Sequence, residues 1–306
     1  MILAANNLQK KLAGRPILNG IDLRIDKGER LAIVGETGSG KTTLLRALAG
    51  LIDLDAGTVQ FESQRVKGPA EVLLAGHPGI AYLHQAVELR NHYKVKDLLE
   101  RQSIQDTDAD RQLASLCRID SLMERMSDQL SGGERQRIAL AIELSKHPRL
   151  LLLDEPFSNL DIGHRTTLQS VLENIHLQME LSLVVVSHNP VEILGWADRM
   201  LVMRQGAIIQ EGTPRSVYDH PQDDYTARLL GPFNFLVLPN QSEPTYIRPE
   251  RLGFAMAVGG LWNGQLVEEF FEGHSSLYTI RTKHGDIWVR ERPGIPIGGE
   301  VSIFIQ

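Results

Sequence analysis

The chain is poor in sulfur for crosslinking and poor in aromatic rings. A single cysteine, Cys117, stands among 306 residues. No bridge can close within the chain, nothing in it depends on an oxidising compartment, and the expected state of Cys117 is a buried, inert thiol. Aromatic residues make up 6% of the sequence and none precedes Phe61. Apolar runs such as Leu150 to Leu153 and Leu183 to Val186 are far too short to cross a bilayer. No basic-then-apolar leader with a cleavage site is visible, so the chain is expected to be soluble by itself. The formal net charge of −6 lacks the basic signature that nucleic acid requires, and no nucleic-acid partner is expected. What is present is core material: 42% hydrophobic residues over a length that suits one large domain and one small one.

The segment Gly35-Glu36-Thr37-Gly38-Ser39-Gly40-Lys41-Thr42-Thr43 fits G-x-x-x-x-G-K-[ST]. It lies between an apolar run, Arg30 to Val34, and an amphipathic stretch, Thr43 to Ala49, that reads as a helix. That strand-to-helix context is what the motif needs. Glycines let backbone N–H groups turn around a β-phosphate, and the following helix points its positive end at the anion. Lys41 then reaches the β- and γ-phosphates, and Thr42 places its hydroxyl on Mg²⁺. The expected cofactors are ATP and Mg²⁺.

Leu150 to Leu153 is a buried-strand pattern that ends in Asp154-Glu155-Pro156. Acids at the C-terminal edge of a parallel sheet stand where doubly wound folds place their ligands. Asp154 is expected to face the Mg²⁺ shell. Side chains alternate along a strand, so Glu155 points elsewhere and suits polarising a water for in-line attack on the γ-phosphorus. Leu183 to Val186, followed by Ser187-His188, repeats this logic with a histidine able to bond the γ-phosphate and align that water with Glu155. A second anion cradle is suggested by Leu130-Ser131-Gly132-Gly133-Glu134-Arg135-Gln136, which leads into a helical stretch from Glu134 to Lys146. There Ser131 and the N–H groups of Gly132 and Gly133 form another helix N-terminus.

In this order the motifs resemble those of ATP-binding subunits of ATP-binding cassette (ABC) transporters, and the match covers roughly the first 230 residues. The resemblance implies an α/β P-loop domain with a mixed sheet. It makes Gly35 to Thr43 the phosphate-binding loop, Gln85 the Q-loop glutamine that senses Mg²⁺ and γ-phosphate, and Leu130 to Gln136 the signature sequence. Glu155 takes the place of the catalytic glutamate, Ser158-Asn159-Leu160-Asp161 that of the D-loop, and His188 that of the switch histidine. It further implies a head-to-tail dimer, either a homodimer or a pair with a second ABC ATPase subunit, in which each signature caps the γ-phosphate held by the other copy. The implied partners are transmembrane permease subunits and, indirectly, an extracytoplasmic substrate-binding protein; the implied place is the cytoplasmic face of the membrane, peripherally bound. One position departs from the pattern: Leu12 stands where an aromatic residue stacks on adenine, leaving only apolar contact with the base. A non-transport ABC ATPase acting on nucleic acid or ribosomes, or an ATP-binding regulatory module, is the alternative. It is disfavoured by one cassette with no coiled-coil insertion or basic linker.

The expected domains are 1–232, carrying the cassette with a helical subdomain at about 86–148, and 235–306. Gly231-Pro232 and Pro239-Asn240 punctuate the boundary. Beyond it, Thr245 to Arg248, Trp262 to Phe271, Leu277 to Thr282, Ile287 to Arg290 and Glu300 to Ile305 read as short strands, with Lys283 to Asp286 as a hairpin turn. This small all-β, barrel-like region resembles the oligonucleotide/oligosaccharide-binding-like (TOBE) regulatory domain behind many importer ATPases. Its Arg248, Glu250 and Arg251 suit a regulatory anion or partner, and at least as well an ordinary barrel surface or a dimerisation contact, and no ligand is assigned to them.

Overall fold

The computed structural model describes residues 1–84, 89–100, 107–238, 241–256 and 259–306. Contacts divide the chain into two compact units, Met1–Pro214 and Arg215–Gln306.

The first unit runs β1 (Leu3–Leu12), β2 (Arg15–Ile25), β3 (Arg30–Val34), α1 (Lys41–Leu48), β4 (Ala56–Phe61), β5 (Gln64–Arg65), β6 (Ile80–Leu83), α2 (Val95–Glu100), α3 (Thr107–Leu116) and α4 (Gly132–Leu144). It continues with β7 (Leu150–Asp154), α5 (Ile162–Met179), β8 (Ser182–Ser187), β9 (Arg199–Arg204) and β10 (Ala207–Gly212). Strands β2-β1-β4-β5 make an antiparallel sheet, and β10-β9-β3-β8-β7-β6 make a second sheet that is parallel except for its β10 edge. Every residue of β7 and β8 is buried. Unbroken leucine and valine runs produce this, because a central parallel strand is covered on both faces. Leu31 and Ile33 of β3 pack with Leu44, Leu45 and Leu48 of α1 and with Leu150, Leu152, Val184 and Val186. Each such side chain gains about 1.5–3 kcal/mol on burial. The register then matters for the site: Val34 pairs with Ser187, and Asp154 with Val186. The C-terminal ends of β3, β7 and β8 therefore finish at one edge of the sheet.

The second unit opens in α6 (Pro214–Asp219) and α7 (Asp224–Leu229), followed by β11 (Asn234–Val237), β12 (Pro244–Ile247), β13 (Leu252–Ala255), β14 (Trp262–Phe271), β15 (Ser276–Thr282), β16 (Gly285–Glu291) and β17 (Glu300–Ile305). Strands β11 and β12 pair, and β13-β17-β14-β15-β16 form a five-stranded antiparallel sheet over a core that includes Leu266, Tyr278, Ile280, Val289 and Ile303. The Lys283-His284 turn joins β15 to β16, with Thr282 opposite Gly285. The unit begins before the Gly231-Pro232 punctuation because its helices are held by one buried side chain. Arg248 is 3% exposed, and its guanidinium donates from Nε to the Tyr218 carbonyl and from Nη1 to those of Ala227, Gly231 and Pro232. It also stacks on the Tyr218 ring, 4.2 Å from the centroid. Its neighbours are likewise engaged within the unit. Glu250 accepts from Tyr218 and Arg290, and Arg251 pairs with Asp219.

Candidate functional site

The loop between β3 and α1 turns at glycines. Gly38 and Gly40 take φ values of 85° and 105°, a region that costs an L-residue strain. At Gly40, the N-cap of α1, a side chain would also be obstructed: an added Cβ would lie 2.6 Å from the carbonyl oxygen of Ile17. Lys41 follows, 5% exposed, with Nζ donating to the carbonyls of Gly35 at 2.7 Å and Glu36 at 2.9 Å. Burial draws its pKa down, and the facing carboxylates of Glu155, Asp154 and Glu36 oppose that shift. An ammonium so placed is stripped of water and surrounded by acceptors, which primes it for a polyanion.

Asp154 ends β7 at 2% exposure. Its Oδ1 accepts from Thr42 Oγ1 at 3.0 Å and its Oδ2 from the Tyr82 hydroxyl at 3.0 Å. Burial raises its pKa, while the bonds from Tyr82 and Thr42 pull the other way. Burial and the neighbouring carboxylate raise the Tyr82 phenol as well, so it remains a donor at neutral pH. A carboxyl held above its ordinary value binds its proton more tightly in the folded chain than in the unfolded one. It thus stabilises the fold in acid, and that contribution is lost as pH rises through the folded value. Asp154→Asn keeps an acceptor and removes the charge. Without nucleotide this variant is expected to melt above the parent at pH 8, with the gap narrowing toward pH 4, as followed by thermal denaturation.

Glu155 sits one residue past the strand with φ at 49°, a left-handed conformation rare outside glycine and typical of strained functional turns. Its N–H donates to Val186 O at 3.0 Å, and its carboxylate Oε2 lies 2.8 Å from His188 Nδ1. Strand β8 thereby carries the histidine directly to the carboxylate. The Ser158 N–H and hydroxyl donate to the Glu155 carbonyl at 3.2 and 2.8 Å, closing the turn toward Asp161.

The second cradle has a different set of partners. Ser131 caps α4, accepting from Glu134 N at 3.3 Å, while Glu134 Oε2 accepts from Ser131 N at 2.8 Å. This reciprocal capping box settles two otherwise unpaired donors. Gly133 packs so closely on the His164 ring that a methyl group there would strike it. Gln136, 6% exposed, donates its amide to the Pro156 carbonyl, which ties α4 to the turn after Glu155. Lys41, Thr42, Asp154, Glu155 and His188 are thus linked into one constellation, whereas the hydrogen bonds of Ser131 go to Glu134, Arg135 and His164 instead. Gln85 lies outside the described residues.

A family model described as ABC transporter matches residues 18–158. The sulfate/thiosulfate import ATP-binding protein of Pectobacterium atrosepticum is 36% identical over 267 residues, covering 84% of this chain and 80% of the relative. The chain belongs to the ABC transporter family. A second relative of this ABC ATPase, the Fe(3+) ions import ATP-binding protein of Pseudomonas fluorescens, is 36% identical over 244 residues, covering 78% of the chain and 68% of the relative. A spermidine/putrescine import ATP-binding protein of Marinobacter nauticus is 35% identical over 244 residues, covering 76% and 64%. Among solved structures, the ADP conformation of an ATP-binding cassette of an ABC transporter superposes with a TM-score of 0.61 at 24% identity, covering 72% of this chain and 96% of that one, which shows the fold. The protein binds ATP and is the ATPase whose hydrolysis is coupled to transport.

Three contacts in this ABC ATPase escape sequence reasoning. The Tyr82 bond to Asp154 joins adjacent parallel strands in which Tyr82 pairs with Leu152, so only the register reveals it. The Gln136 bond to Pro156 joins α4 to the turn after β7, and the approach of His164 to Ser131 joins α5 to the cap of α4, packing that no local pattern encodes. Leu12 ends β1 at 51% exposure, opposite Arg15. Cys117 is buried, and burial pushes its thiol up to about 12. At neutral pH it carries no thiolate to react.

Proposed function

We propose that the protein is the energy-coupling ATPase of an importer. It works as a head-to-tail dimer bound peripherally to permease subunits on the cytoplasmic face of the membrane, with Mg²⁺ accompanying ATP. The observation that carries this reading is the separation of partners: a phosphate loop with acid and histidine in one constellation, and a capped signature turn whose Ser131 bonds to Glu134 and His164. One triphosphate needs a single cradle, so the second serves the nucleotide of another copy.

In this mechanism Lys41 and the loop N–H groups of residues 35–43 hold the β- and γ-phosphates. Ser131, Gly132 and Gly133 approach the γ-phosphate from the partner. Glu155 orients and polarises the attacking water, and His188, bonded to Glu155 at 2.8 Å, keeps that carboxylate aimed. The donor set fits Mg²⁺: the Thr42 hydroxyl and the Asp154 carboxylate are hard oxygens in direct contact, and Mg²⁺ usually takes one or two carboxylates plus phosphate oxygens rather than an all-protein cage. Held by Thr42 and Asp154, Mg²⁺ would supply positive charge against that developing on the transferring phosphoryl group. Gln85 takes the sensing role that the family pattern gives it.

Docking to a permease is supported by an open cavity of about 510 Å³ lined by Ala49, Leu51, Leu74, His77, Tyr82 and Lys146, among others. Leu73 and Leu74 beside it are 100% and 82% exposed, an apolar pair with reason to be covered. No helix among the described residues is long and apolar enough to cross a membrane. Relatives with different named cargoes stand at nearly equal identity, which agrees with cargo being chosen by the permease and binding protein rather than by the cassette.

Mixing two inactive variants tests the shared site. Ser131→Arg and Lys41→Ala are each expected to be inactive alone, and their equimolar mixture to regain roughly a quarter of parental turnover, because half of the random dimers are mixed and each keeps one intact site. A mixture that stays inactive, together with a specific activity that does not fall on dilution, would establish a self-contained monomer.

A further inference from the structure

His164, in the first turn of α5, has both imidazole nitrogens engaged. Nδ1 lies 2.8 Å from Asp161 Oδ2, and Nε2 lies 3.4 Å from Ser131 Oγ. Asp161, the last residue of the D-loop sequence, also caps α5 by accepting from His164 N–H at 2.8 Å. A carboxylate only accepts, so Nδ1 carries a proton, and in the neutral ring Nε2 then presents its lone pair to Ser131. The Ser131 oxygen already accepts from Glu134 N–H at 3.3 Å. Its hydroxyl proton is thus shared between two acceptors in reach, the Glu134 carboxylate of the capping box and His164 Nε2. The ring has little freedom to leave, because it is pressed against Gly133, where not even a methyl group would fit.

We propose that His164 is a positioning residue for ATP hydrolysis: through Nε2 it sets the direction of the Ser131 hydroxyl and links that hydroxyl to Asp161. The inference rests on the shared-site reading, in which Ser131 meets the triphosphate of the other copy. An O–H···N bond of 3.4 Å is long. Such a bond holds the hydroxyl in place yet gives way to a charged phosphate oxygen, a much stronger acceptor. A shift of Asp161 moves the imidazole, and the imidazole re-aims Ser131. Two motifs of one chain thus respond together.

The test uses two amides that each copy one ring nitrogen. His164→Asn keeps a polar group where Nδ1 meets Asp161 but does not reach Ser131; His164→Gln places one where Nε2 meets Ser131. In steady-state ATPase assays on the full chain, Asn is expected to lower kcat about fivefold to tenfold with KM for ATP within about twofold, and Gln to recover most of that loss. In a Ser131→Ala background, neither change is expected to lower kcat further, since residues acting through one another are not additive. Thermal melting of each variant shows that it is folded. Equal losses for Asn and Gln, or an Asn effect that persists undiminished beside Ser131→Ala, would overturn the inference. If Ser131→Ala lowers kcat while His164→Asn does not, His164 alone is misassigned. If Ser131→Ala is itself fully active, the shared site fails and the inference fails with it.

Discussion

Glu155→Gln is expected to bind ATP as tightly as the parent chain while its turnover falls by a factor of roughly 10²–10⁴, the range that a lost general base produces. The substitution is nearly isosteric. Glutamine retains a hydrogen-bonding partner for His188 Nδ1, which lies 2.8 Å from Oε2 in the parent, and it accepts the left-handed backbone at φ 49° no worse than glutamate does. What it lacks is a charge able to polarise water. Binding and chemistry therefore separate, and with Mg²⁺-ATP the variant is expected to accumulate as a dimer that light scattering detects at twice the mass of the chain. The parent would show that dimer only transiently, because hydrolysis removes the γ-phosphate that both halves hold. Turnover within threefold of the parent would remove Glu155 from the reaction.

The second large effect is expected at the phosphate loop. Lys41→Ala deletes the one ammonium placed against the carbonyls of Gly35 and Glu36, buried among Glu155, Asp154 and Glu36. Hydrogen bonds to charged groups contribute about 1.5–3 kcal/mol each, so losing contacts to two phosphates corresponds to a rise in Kd for ATP of roughly 10²–10⁴. Stability without nucleotide responds differently. Burial lowers the Lys41 pKa, meaning that the folded chain holds this proton less tightly than the unfolded chain does, and removing the side chain relieves that penalty. The variant is expected to melt within a few degrees of the parent and to show no upward shift when ATP and Mg²⁺ are added. Calorimetric titration and differential scanning fluorimetry measure the two halves of this prediction.

Local signals are what make the site legible from sequence. A glycine-rich turn between strand and helix, a leucine run ending in two acids, and a valine run ending in Ser187-His188 each declare themselves within ten residues, and parallel-sheet geometry brings them to one edge. The strands of the second unit are legible as short runs between glycine breaks: β14 and β17 run over Trp262–Phe271 and Glu300–Ile305, the ranges read from the sequence. The helix after Ser131 begins at Gly132 and ends at Leu144, slightly earlier than the apolar spacing suggests, because the capping box with Glu134 fixes its start. The antiparallel sheet of β1, β2, β4 and β5 is much less visible. Register shifts interrupt its pairing at Ala5/Leu8 and Asn6/Gln9, and these irregularities blur period-two alternation. Strands β11 and β13, of four residues each, are too short for a pattern to emerge. Contacts between distant side chains, such as Tyr82 with Asp154 and His164 with Ser131, depend on how finished elements pack and leave no trace in spacing.

The grip of Arg248 on four backbone carbonyls has a practical corollary for anyone dissecting the molecule. A cut at the punctuation near residue 232 would strand the segment 215–231 on one fragment and its arginine on the other. The carboxyl-terminal piece would then carry a cation stripped of its acceptors, and the amino-terminal piece would end in two short helices with nothing to clasp them. A boundary set between Pro214 and Arg215, at the first residue of α6, keeps all four carbonyls and their arginine on one piece, which is therefore expected to resist digestion better than a piece begun near residue 232.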